Sequence, residues 1–161
     1  MMFLEDLQLR IFFQLLLAIL LGGLLGLERE YKKREAGLRT YALVSLGAAL
    51  FTIVAFENFK RFTEISGISF DPGRIVNAIA IGIGFIGAGI IIYRRFHIEG
   101  LTTAAGLWIA GAIGVAVGSQ FYWLATFATL LAILVLSGLH FLERKTFKKE
   151  LREESESTFR S

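Results

Sequence analysis

The stretch LLLAILLGGLLGL at 15–27 contains only Leu, Ala, Ile and Gly. A helix lying against water alternates apolar and polar residues so that one side meets solvent, and this stretch offers no polar side. It sits inside an apolar run at 9–27, and four more runs follow at 38–56, 74–93, 101–118 and 121–142. A hydrocarbon core about 30 Å thick needs about 20 apolar residues at a rise of about 1.5 Å each, and every run is near that length. A spanning β-barrel would need short segments alternating apolar and polar residues, and none is present. With 55% hydrophobic residues over 161 positions and a mean hydropathy of +0.62, little chain is left for a water-soluble domain. The expected fold is all-α, a polytopic transmembrane bundle of five spanning helices with no strand. It forms one domain at 1–142, followed by a charged tail at 143–161.

The first run does not read as a cleaved signal, because its leader carries Glu5 and Asp6 instead of basic residues. Cysteine is absent, which removes disulfides and thiolate chemistry. The net charge of +3 is not a nucleic-acid footprint, since the cations flank membrane runs instead of forming one basic face. They divide unevenly. Arg29, Lys32, Lys33, Arg34, Arg39, Arg94, Arg95 and six in the tail fall on one side, against Arg10, Lys60, Arg61 and Arg74 on the other. The positive-inside bias predicts an N-terminus outside and a C-terminus in the cytoplasm. Phe121, Tyr122 and Trp123 would then form an aromatic belt at the outer interface.

Burying Leu against Leu brings helices little in lipid, so close approach through small residues matters more. Such rows occur at Ala18, Gly22 and Gly26, at Ala80, Gly84 and Ala88 with Gly82, Gly87 and Gly89 around them, and at Gly106, Ala110, Gly114 and Gly118. Each predicts a helix-packing groove. The dense 82–89 segment also suits a hinged helix beside a ligand path. Asp71 is expected to cap the third helix at the Arg74 amide, with Pro72 at its first position. Asp71 and Arg74 also have the spacing of a charge pair. The connection at 57–70 has room for a short interfacial helix. In the tail, Phe147 and Leu151 among Lys145, Lys148, Lys149 and Arg152 suit a lipid-surface helix.

Chemistry-bearing residues are few. His97 and His140 stand far apart, so no metal site is expected. Ser137 and His140 are three apart on the fifth helix, but nothing in the sequence supplies a carboxylate at matching depth for nucleophilic catalysis, and a helical Ser often bonds its own backbone. No catalytic residue and no cofactor are predicted. The antiparallel order does gather Glu28, Arg29, Arg39, Thr40, Thr102 and Thr103 at the cytoplasmic helix ends. Trp108 lies about two turns deeper, where its indole N–H needs a partner. These seven residues form a candidate inner polar pocket, with Glu28 expected to pair with Arg39; interfacial snorkelling and helix capping are the plainer reading.

Five blocks in order, LERE at 27–30, AGLRT at 36–40, DPGR at 71–74, GIGFIGAG at 82–89 and GLTTAAGLW at 100–108, resemble the MgtC/SapB family of bacterial inner-membrane proteins. The resemblance covers helices 1 to 4 with spacing intact. It implies a small helical membrane domain, a link to adaptation to low magnesium and to virulence, and, through MgtC itself, restraint of the F-type ATP synthase. Its motif positions here are Glu28, Arg29, Arg39, Thr40, Asp71, Arg74, Gly82, Gly84, Gly87, Gly89, Thr102, Thr103 and Trp108. Ala78 stands where the family often has Gln, and Ile81 where a small polar residue is common. The chain looks like a short, SapB-like member without the soluble C-terminal domain of MgtC. The expected function is regulatory or interactive, not enzymatic, with membrane lipid, a membrane complex such as the ATP synthase, or a second copy of the chain as partners. A transporter or channel for a small ion or solute is the alternative.

Overall fold

A computed structural model describes residues 2–63, 71–94 and 97–139. The helices are α1 (Met2–Tyr31), α2 (Leu38–Thr63), α3 (Pro72–Ile90), α4 (Leu101–Gly118) and α5 (Tyr122–Leu134), the last running into a π-helical turn at Val135–Leu139. Among the described residues four helices are long and apolar enough to cross a membrane, and the fifth apolar segment, Tyr122–Gly138, is shorter. The surface helix expected in the tail lies outside the described residues. Within the expected 57–70 connection, α2 simply continues to Thr63, and 64–70 lie outside the description.

One expectation is corrected. Strands β1 (Ile92–Arg94) and β2 (His97–Glu99) pair antiparallel, so α3 stops at Ile90 and a hairpin leads into α4. Gly100 closes it at φ +88, a left-handed conformation that glycine adopts without steric cost. A Cβ there would also meet the Ile90 carbonyl oxygen at 2.5 Å. α1, α3 and α5 finish at this hairpin end, and α2 and α4 begin there. Asp71 and Phe121 mark the opposite end.

The core is a three-helix contact of α1, α2 and α4. Gly22 lies against Ser45, and Gly114 against the Ser45 backbone and Ala48. Ser45 of α2 is thereby pressed between the bare backbones of α1 and α4. Gly26 meets Leu38 in the same way, and Gly118 meets Ala49 and Thr52. Ala18, Leu25, Leu107, Ala110 and Ile113 fill the space between. This is the small-residue packing that membrane helices rely on.

Helix ends inside the bundle need partners for their free carbonyls. At the end of α4 the Gln120 N–H donates to Val117 and the Phe121 N–H to Ala116, with Gln120 at φ +67, a Schellman turn. The buried Gln14 amide of α1 adds bonds to the Val117 and Gly118 carbonyls at 3.1 and 3.4 Å. At the end of α1, Lys33 takes the equivalent left-handed position, and the Arg34 N–H reaches the Arg29 carbonyl.

α3 is the exception to close packing, since only Ile83 and Gly87 are buried. Gly87 rests on Ala104, at 3.4 Å from a would-be Cβ, whereas Gly82, Gly84 and Gly89 have nothing within 4 Å of theirs. The expectation that Gly82, Gly84 and Gly89 pack between helices is therefore corrected. They lie off the side of α3 that packs on α4, and α2 touches α3 only lightly, leaving a groove that Gly82 borders.

The cap of α3 differs in detail from its expectation. The Asp71 carboxylate accepts from the Gly73 N–H at 2.9 Å, and the Arg74 N–H bonds the Asp71 backbone carbonyl. Among the described residues Asp71 and Arg74 form no ion pair.

Candidate functional site at the hairpin end

Glu28, on the last turn of α1, collects three donors. Arg29 Nε and Lys32 Nζ each lie 2.5 Å from one of its oxygens, and Ser137 Oγ donates from 3.0 Å. Both cations also donate to the Leu136 carbonyl, Arg29 at 3.3 Å and Lys32 at 3.0 Å. That carbonyl belongs to the π-helical turn, whose wider winding disturbs the regular i to i−4 ladder, a distortion frequent at functional sites. Arg29 is 2% exposed, and a buried charge is tolerated only when paired and hydrogen-bonded.

A second group stands beside it. Tyr41 of α2 is fully buried, its hydroxyl donates to the Thr103 carbonyl at 3.0 Å, and its ring lies over Gly106, where a Cβ would collide. The Thr103 hydroxyl donates to Glu35 at 2.7 Å. That bond, first among the causes, holds the Glu35 carboxyl below its ordinary pKa. A carboxylate with a lowered pKa favours the folded state at neutral pH, and the benefit fades as pH falls through the lowered value. Glu30 accepts from the Leu38 N–H at 2.8 Å, tying α1 to the start of α2.

Of the seven residues expected in the pocket, Glu28, Arg29 and Thr103 lie in these two groups, and Thr40 is half-buried beside Tyr41. The expected Glu28–Arg39 pair does not form. Arg39 is exposed, and nearer cations occupy Glu28. Thr102 is exposed and lines an apolar groove between α4 and α5. Trp108 is 50% exposed and lines a different groove, beside Ile83 of α3 and Leu124 of α5.

Sequence reasoning misses Lys32, Glu35 and Tyr41, and considers Ser137 only beside His140. Lys32 had a legible signal, lying four residues after Glu28. A carboxylate does lie beside Ser137, contrary to expectation, but Glu28 is already saturated by two cations. His140 lies outside the described residues.

The MgtC family's sequence profile matches residues 15–145. The chain belongs to the MgtC family. It is 40% identical over 136 residues to "Putative magnesium transporter YhiD" of Escherichia coli, covering 84% of this chain and 63% of that one. It is 40% identical over 142 residues to "Protein SrpB" of Synechococcus elongatus, covering 82% and 76%. It is 45% identical over 118 residues to "Protein MgtC" of Brucella abortus, covering 73% and 46%. The chain thus spans less than two thirds of the YhiD and MgtC relatives. No solved structure matches it.

Proposed function

We propose that this MgtC-family chain is an interaction protein of the inner membrane, acting by binding and not by catalysis, with α3 as the element offered to a partner. One observation carries the reading: α3 is seated mainly on α4 and lightly on α2, and Asn77, Ile81, Gly84, Phe85 and Ala88 are exposed together on its outward face. Spacings of three and four place these residues on one side of a helix. A glycine there admits another backbone, and an Asn amide in lipid seeks a hydrogen-bond partner. The proposed partner is a multi-subunit membrane complex, of which the ATP synthase is the one suggested by the family resemblance. The setting, again from the resemblance, is adaptation to low magnesium or a related stress.

At native expression and in mild detergent, the chain is expected to co-purify with that complex, and Gly84→Leu to release it without unfolding the bundle. Recovery of the chain by itself would count against the proposal. We further propose that the hairpin end is cytoplasmic, on the strength of its cation excess. Because the chain lacks cysteine, Lys33→Cys should label from the cytoplasmic face and Gln120→Cys from the other. Labelling of both from one face would contradict this.

Transport is the second reading, supported by the printed name of the E. coli relative and by the charged cluster. A dehydrated Mg²⁺ wants several oxygen ligands, carboxylates among them. Among the described residues no three His, Asp or Glu side chains come together, and the α1–α2–α4 contact is closed by its glycines. Mg²⁺, H⁺ or anion flux in reconstituted liposomes would favour transport over binding.

A further inference from the structure

An apolar groove lies between α2 and α3, on a different side of α3 from the docking face above. Phe51, Ala55, Ile75, Ile79 and Ile86 line it, its volume is about 630 Å³, and Arg74 is its one charged lining residue among the described residues. Two glycines make the room. Gly47 on α2 and Gly82 on α3 both border it, and a Cβ at either would meet nothing within 4 Å. From Arg74 to Ile86 the groove runs about 18 Å by the helical rise. Half of a hydrocarbon core is about 15 Å, so the groove has the length of one leaflet's acyl chain. Arg74 stands at the end where that leaflet meets water. Its guanidinium has no ion pair among the described residues, while Arg10 at the same end of the bundle pairs with Glu57 at 3.6 Å.

We propose that this groove is a phospholipid site, with one acyl chain between α2 and α3 and the lipid phosphate on Arg74. A guanidinium presents paired N–H donors that match two phosphate oxygens. The apolar walls accept an alkyl chain without leaving polar groups unpaired. The neighbouring Asp71 carboxylate is turned to the Gly73 N–H, which leaves the Arg74 donors to the ligand. A seated chain would fill the gap beside α3 that side chains leave open. The site is also independent of the partner reading, because the two use different sides of α3.

Retention of phosphatidylglycerol by the delipidated full chain, followed by native mass spectrometry, tests the proposal, with diacylglycerol of the same chain length as comparison. One tightly held phosphatidylglycerol per chain is expected, and diacylglycerol should bind at least about tenfold more weakly, since a charge-assisted bond contributes about 1.5–3 kcal/mol. Arg74→Gln should bring phosphatidylglycerol down to the diacylglycerol level. Gly82→Leu should weaken both by filling the groove. Arg10→Gln should change neither. Arg74 and Gly82 are exposed, so both variants should keep the wild-type thermal midpoint, and that check separates loss of the site from loss of the fold. Equal retention of the two lipids, or full retention by both Arg74→Gln and Gly82→Leu, would overturn the assignment.

Discussion

Gly114→Leu is expected to destabilise the bundle strongly. A Cβ at 114 would meet the Ala48 side chain at 2.9 Å and come nearer still to the Ser45 carbonyl. Overpacking costs about 1–3 kcal/mol where side chains can give way. Here the obstacle is the backbone of α2, itself pinned against Gly22 of α1, so the cost should reach or pass the top of that range. Leu131→Ala on α5 is the control, because Leu131 is 46% exposed and such changes usually stay within about 0.5 kcal/mol. Thermal unfolding in mild detergent should separate the two variants clearly. Equal falls in midpoint would mean that the glycine row of α4 faces lipid.

The second large effect is expected at Glu28. Glu28→Gln removes the charge that balances both Arg29 and Lys32, leaving the buried Arg29 with only the Leu136 carbonyl among the bonds described. Breaking one side of a buried pair typically costs about 3–5 kcal/mol. Arg29→Gln should be costly as well, and the double change milder than the sum of the two, because the groups share one network. Arg39→Gln should be nearly silent. If Arg39→Gln were as damaging as Glu28→Gln, the cluster as drawn would be wrong.

The membrane class and the helix order were legible because long apolar runs admit few other structures. The hairpin was not. Residues 90–93 are continuously apolar, so nothing in periodicity separates a helix end from a strand, and the deciding feature is the left-handed Gly100 ten residues on. The Glu28–Arg29 contact was illegible for another reason. Adjacent residues on a helix normally point apart, which made the more distant Arg39 look the better partner. Glycine rows announce close approach, but lipid and protein both accept an apolar face. Composition therefore could not distinguish Gly114, pressed onto α2, from Gly84, which is open. Counting sets how far Trp108 lies along α4, but which side of the helix it faces follows from packing, and packing turns it to the groove beside Ile83 and Leu124.

The central claim is that α3 is a docking helix held to a closed α1–α2–α4 core, and its outward face offers the most direct test. Phe85 is 80% exposed on α3, so a photo-crosslinking amino acid there should leave the fold intact. In native membranes the reading predicts an adduct with a subunit of the partner complex, the ATP synthase being the first to probe for. That adduct should be lost in the Gly84→Leu background and absent when the probe is placed at Leu131 on α5. Adducts formed only with lipid, or only with a second copy of the chain, would contradict it.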